Sequence, residues 1–296
     1  MSMNPYILLS VSVALGVSKN ILSRAVGGIS EPVRMLGVNL KTALFALLIF
    51  GIPLLGNPSD AFSENPTFWI LSALYGLLTM LSQMFYIRAV QNGSVSVCAL
   101  LYACGFLLPT FYAVLFCGEK LGILRGIGIA VLILSASVIN TKEKSADSAP
   151  CKASLWLPYA LGATAASGGV GIIQKITRSA FPDRQDDGFL FCAFAVMAVL
   201  SLVLLAFLGK KRLSRPHLSA AAHFGEIFLS LSVVLANKLN LFLSGVLPGS
   251  VFFPVVNGGC IAFSAIFSGL LFHEKFSAKK IIALCCGGAA LLLISL

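Results

Sequence analysis

Two short stretches decide how this chain is read: Phe116-Cys117-Gly118-Glu119-Lys120-Leu121 and Leu271-Phe272-His273-Glu274-Lys275-Phe276-Ser277. Each follows one apolar run and precedes another, and their Glu-Lys pairs lie 155 positions apart in a chain of 296. The same offset places Ile21 on Ile176 and Ala25 on Ala180, and an offset of 156 places Gly93-Ser94 on Gly249-Ser250. A fixed offset of this kind marks an internal duplication. Around these anchors, ten runs approach the ~20 apolar residues needed to cross a bilayer. Five precede the midpoint: Pro5–Arg24, Val33–Leu55, Thr67–Arg88, Val95–Cys117 and Gly122–Asn140. Five follow it: Ala153–Gln174, Phe189–Leu208, Ala220–Ser244, Ser250–Phe272 and Lys280–Leu296. With an odd number of crossings in each half, the second half inserts upside down relative to the first. Inverted repeats with a site at their midplane interface characterise secondary transporters. The expected fold is an all-α membrane protein of ten transmembrane helices, arranged as two inverted five-helix repeats around a central cavity. Residues 1–140 form the first repeat, 141–152 a polar linker, and 153–296 the second.

Composition agrees with this reading. The chain is 58% hydrophobic and 11% charged, with a mean hydropathy of +0.94. A soluble domain carries about 25% charged residues, so a soluble enzyme, a disordered chain and a nucleic-acid binder are excluded together. The net charge of +10 comes from short basic clusters between apolar runs, where such residues flank membrane helices. Of the eight cysteines, Cys98, Cys104, Cys117, Cys192, Cys260, Cys285 and Cys286 lie inside apolar runs and no CxxC occurs. They read as buried small hydrophobes rather than a disulfide framework or a metal site. The first apolar run lacks a basic leader and a clear small-residue cleavage site, so it reads as a resident helix. The connections are too short for a soluble domain, which places any chemistry inside the membrane.

The first stretch with Gly126 and Gly128 behind it, and the second with Gly287 and Gly288 behind it, resemble the ends of EamA-type repeats. In that family a helix, a short turn carrying Glu and a glycine-containing helix close each repeat. The whole chain resembles a ten-helix member of the drug/metabolite transporter superfamily. The resemblance implies transport of a small solute, with amino acids, nucleosides, nucleotide sugars, amines and drugs all represented. It also implies a cavity lined by the first, third, fourth, sixth, eighth and ninth spans, and cytoplasmic termini.

Ionised groups within a span cost about 2.5–3.5 kcal/mol at the bilayer centre, so each needs a reason. Lys19, Lys41, Lys175, Lys238 and the acid Glu226 fall inside the predicted spans or at their ends. Lysines can snorkel to the headgroups, a reading that suits Lys41 and Lys175. Lys19 beside Asn20, and Lys238 beside Asn237, instead suggest a wet cavity, since amides avoid lipid. The repeat register sets Gln83 opposite Lys238. Asn257 follows Pro254 and precedes Gly258-Gly259, where a kink could bare carbonyls or the glycines could permit close packing. Ala165–Gly171 reads as a packing face. Tyr86 and Tyr102, with Phe111 and Tyr112, could supply an aromatic wall. The expected substrate-binding set is therefore Lys19, Asn20, Gln83, Tyr86, Tyr102, Asn237, Lys238 and Asn257. Glu226 is the candidate for proton coupling, or else the structural partner of a lysine. Glu119 and Glu274 read as structural, each placed where a following helix presents its positive end. His217, His223 and His273 have no metal-ligand spacing.

The function expected is secondary transport of a small anion-bearing metabolite, such as an amino-acid-like solute, by alternating access. Efflux of lipophilic or amine drugs is the competing reading. An intramembrane enzyme lacks a visible nucleophile–base pair, a channel would lack the repeat-interface site, and no GxxxxGK loop supports ATP binding. No cofactor, metal or catalytic residue is expected. The partners are a small-molecule substrate and the lipid bilayer, without nucleic acid, and a monomer suffices. The expected location is the cell (plasma or inner) membrane, multi-pass. Lys120, Arg125, Lys175, Arg178 and Arg184 share the side of the termini, against thirteen basic residues opposite. The positive-inside rule therefore favours both termini outside, against the family's expectation.

Overall fold

The computed structural model describes residues 4–25, 32–56, 61–92, 101–139, 153–181, 185–209, 220–271 and 278–295. Among these the regular structure is helical, without strands. Helices α1 (Pro5–Ala25), α2 (Pro32–Leu54) and α3 (Pro66–Asn92) come first. A 3₁₀ turn at Cys104–Phe106 leads into α4 (Leu107–Phe116), and α5 (Ile123–Ile139) ends the first half. Then follow α6 (Ala153–Ala180), α7 (Asp186–Gly209), α8 (Ala220–Val246), α9 (Gly249–Leu271) and α10 (Ala278–Ser295). Gly93-Ser94, the linker 141–152, Lys210-Lys211-Arg212 and Glu274-Lys275 lie outside the described residues.

Helix is the form that pairs every backbone N–H and C=O within one segment, which an apolar solvent demands. Among the described residues, five helical runs are long and apolar enough to cross a membrane: Pro5–Leu22, Val33–Leu54, Pro66–Tyr86, Asp186–Leu208 and His223–Val246. Shorter apolar runs occupy Leu101–Phe116, Ile123–Ser135, Gly249–Ser264 and Ile281–Ile294. Helix α6 is longer than its predicted span, reaching Ala180 rather than Gln174. Large apolar side chains such as Leu48, Leu134, Phe207 and Leu292 point outward, the arrangement expected of a lipid-facing surface.

The helices pack in an ordered way. Helix α2 lies against α7, α4 against α9 and α5 against α10, while α1 meets α8 and α3 meets α6. Exchanging each helix for the one five places on leaves these five pairings unchanged, because α1–α8 becomes α6–α3. Close approach rests on small residues. A methyl group at Gly76 would lie 2.1 Å from the Ala193 carbonyl oxygen, so α3 and α7 touch backbone to backbone. Gly258 abuts Leu132 of α5 and Leu291 of α10, and Gly259 abuts Val13 of α1. In α6, Gly168 sits against Leu108 and Gly171 against Pro109. Both glycine stretches therefore serve packing, and α9 continues as one helix through Pro254. The larger core is aromatic: Phe68 meets Phe181 at 5.3 Å and Phe189 at 5.8 Å, edge to face, and Tyr75 meets Phe189 at 5.6 Å. The six cysteines among the described residues are free thiols.

Candidate functional site

Three polar groups meet inside the aromatic core. The fully buried Tyr75 of α3 donates its hydroxyl proton to Asn237 Oδ1 of α8 at 2.5 Å and accepts from Gln174 Nε2 of α6 at 2.9 Å. Asn237 Nδ2 donates to the Val233 carbonyl at 2.8 Å. The neighbouring Lys238 extends to Asp187 Oδ1 in the first turn of α7 at 2.7 Å, with the Phe50 ring 5.9 Å from its Nζ. The Lys238 side chain is 43% exposed, so it is charge-paired and still partly open. Beside the triad, Tyr75, Gly76, Thr79, Ala193, Phe194 and Met197 line a crevice too tight to admit a water molecule.

A second polar group lies toward the other end of α8. Glu226 is 1% exposed and accepts from Arg34 Nε of α2 at 3.3 Å, while Lys41 of α2 closes on its other oxygen. Neither reach is accidental: residues seven apart on one helix share a face. The sequence leaves two roles open for Glu226, and this geometry is that of a partner for cations. Lys41 is thereby placed in an ion pair rather than snorkelling. One turn deeper, the buried Ser230 hydroxyl donates to Thr42 Oγ1 at 3.1 Å, the Thr42 proton going to the Val38 carbonyl.

The remaining expected residues are spread among other partners. Asn20 donates to Ser264 Oγ of α9 at 3.0 Å, and Lys19 lies within electrostatic reach of the Cys260 thiol on the same helix. Asn257 donates to the Phe253 carbonyl one turn earlier at 2.9 Å, an intrahelical bond. Tyr86 and Tyr102 form a tilted ring pair at 4.8 Å, and Gln83 is half-buried on α3. The two halves of the expected set, Lys19 with Asn20 and Asn237 with Lys238, thus have separate partners. Ser12 of α1 joins this pattern by donating to Asn240 of α8.

Glu119 anchors a third group. Gly118, at φ +68°, takes the left-handed conformation that glycine tolerates, and turns the chain so that Glu119 leaves its own loop. Its carboxylate accepts from the backbone N–H of Gly249 at 2.9 Å and Ser250 at 3.0 Å, and pairs with Lys175 Nζ at 2.8 Å. Lys175 also donates to the Ser244 carbonyl at 3.1 Å. The helix that Glu119 caps is α9 and not the following α5, which corrects the sequence expectation; Lys175 is likewise an ion-pair member. Burial alone would raise the Glu119 pKa, but the Lys175 ammonium and the two backbone donors outweigh it and hold the carboxyl below its ordinary value of about 4.5. A depressed carboxyl stabilises the fold fully above the unfolded value and loses that contribution as pH falls through the folded one. The melting-point gap between the native chain and Glu119→Gln is therefore expected to stay constant from pH 8 to about pH 5 and to close below about pH 4. A gap unchanged in acid would show that the Glu119 charge is not what stabilises.

Sequence reasoning missed Tyr75, Gln174, Arg34 and Asp187. Gln174, the last residue of a predicted span and beside Lys175, carried the only local signal.

Residues 5–141 match the model of the EamA-like transporter family. One solved chain, described as "Crystal structure of protein", superposes with a TM-score of 0.76 over 98% of this chain and 95% of its own, at 14% identity. That likeness is one of fold. No curated protein matches at the sequence level.

Proposed function

We propose that this chain, whose residues 5–141 belong to the EamA-like transporter family, is a multi-pass membrane carrier that moves a small anion-bearing metabolite by alternating access. In this reading residues 1–140 and 153–296 are inverted five-helix repeats, ten spans in all. A monomer in the plasma or inner membrane suffices. The observation that carries it is the pairing of helices: an exchange of the two halves maps α1–α8 onto α6–α3 and returns α2–α7, α4–α9 and α5–α10 to themselves. Such a relation supports two equivalent halves that rock against each other about a shared site.

In this reading the substrate binds among Lys19, Asn20, Gln83, Tyr86, Tyr102, Asn237, Lys238 and Asn257. Lys238 is solvent-accessible and so available to a substrate oxyanion, with Asp187 as the partner it leaves. A charge-assisted bond of this kind is roughly twice as strong as a neutral one. Efflux of amines is the weaker reading, because Glu226 and Asp187 are both engaged by cationic side chains. The test is a thermal-shift screen of purified protein against amino acids, phosphorylated sugars, nucleosides and amines, followed by counterflow of each stabilising compound in proteoliposomes. A ligand at 100 times its Kd stabilises by about 2.7 kcal/mol. Stabilisation and counterflow by an anionic solute are expected. Counterflow confined to amines would overturn the assignment of substrate class.

A further inference from the structure

We infer that two carboxylates, each gripped by the opposite half of the chain, latch opposite ends of the helix bundle and are released in turn during the transport cycle. The inference rests on the transporter reading above and adds the residues that would hold each end shut.

The first latch carries a first-half acid into the second half. Glu119, from the loop between α4 and α5, is bound by the Gly249 and Ser250 amides that open α9 and by Lys175 of α6. The second runs the other way: Glu226 of α8 is bound by Arg34 and Lys41 of α2. Two further ion pairs, Arg178 with Asp186 and Lys238 with Asp187, lie within the second half. Charge crosses between the halves at both latches, with the acid coming from a different half each time.

The two places are far apart along the bundle. Glu226 lies near the start of α8, whereas α8 ends at Val246, just before Gly249. A rise of ~1.5 Å per residue separates them by roughly 30 Å, about the hydrocarbon thickness of a bilayer. A carboxylate parted from its cations inside a protein is strongly unfavourable, yet one parted into water is rehydrated. Each end is therefore favoured either closed and paired or open and wet, with little between, which is the behaviour of a two-state gate. Buried hydroxyls lie behind both latches: Thr42 and Ser230 behind Glu226, and Ser250 at the α9 end. Opening an end would bring water to its hydroxyl.

The test reads those positions directly. In purified chain with the eight native cysteines replaced, Ser230→Cys reports one end and Ser250→Cys the other, by the rate of reaction with a charged maleimide. Glu226→Gln is expected to speed labelling at 230 at least ten-fold and not at 250. Glu119→Gln is expected to do the reverse. Lys41→Met and Lys175→Met, which weaken each latch and keep its acid, should give smaller rises at the same ends and serve if a glutamine variant fails to fold. Equal acceleration at both positions by either variant would indicate general loosening and overturn the inference, as would no acceleration. The rates need no substrate, so a chain that labels as expected but transports nothing would sink the transporter reading and leave the latches standing.

Discussion

Gly76→Ala is expected to destabilise the fold by about 3 kcal/mol, at the upper end of the usual range for overpacking a core. The added methyl carbon would lie 2.1 Å from the Ala193 carbonyl oxygen and 3.0 Å from the carbonyl carbon. A flexible side chain could swing away from such a contact, but Ala193 presents helix backbone, so α3 and α7 must separate as rigid rods. Separation would also loosen Phe68, Tyr75 and Phe189, which pack edge to face across the same interface. Thermal unfolding in one detergent gives the loss. Gly37→Ala is the control: this helix position meets nothing within 4 Å, and alanine there should stabilise by up to ~1 kcal/mol through helix propensity. A similar loss from both substitutions would mean that the α3–α7 contact is not the cause.

The helices were legible because the apolar solvent imposes a length and a composition that can be read locally. Predicted and observed ends agree within a few residues for α1, α2 and α5. Helix α4 itself begins at Leu107, after a 3₁₀ turn, against a span expected from Val95; the departure at α6 has a physical reason. The helix outlasts its apolar run because Lys175 and Arg178 find Glu119 and Asp186, so the last turns continue in polar company. The site was less legible, since a residue's type announces that it needs a partner but not which one. Glu119 was readable as a helix-capping acid, yet its target is a helix that begins at Gly249, far along the chain. Arg34 and Asp187 lie near helix ends, where a charge ordinarily faces water or headgroups, so nothing local marked them as inward. The orientation count suffers from the same ambiguity: Lys175 and Arg178, two of the five basic residues on the side of the termini, are spent in ion pairs. Tyr75 offered the least warning, being one aromatic among many in an apolar run.

That same Tyr75 gives the other large effect. Tyr75→Phe removes one oxygen and no volume, but it strands Gln174 Nε2 and Asn237 Oδ1 inside the core. Each abandoned buried group costs roughly 1–3 kcal/mol, so a loss of about 3 kcal/mol is expected in the same unfolding assay. The cost comes from the partners left behind, and this distinguishes it from a packing defect. If so, Gln174→Met made on top of Tyr75→Phe should cost little more or recover part of the loss, and adding Asn237→Leu should recover more, because a core position with no polar group has nothing to desolvate. The three residues belong to α6, α3 and α8, so coupling among them is coupling among helices placed around the proposed cavity. A double-mutant cycle between Tyr75 and Gln174 should show an interaction of 0.5–3 kcal/mol, as for groups in one network. Simple additivity of the single losses would show instead that the Tyr75 hydroxyl and Gln174 act independently.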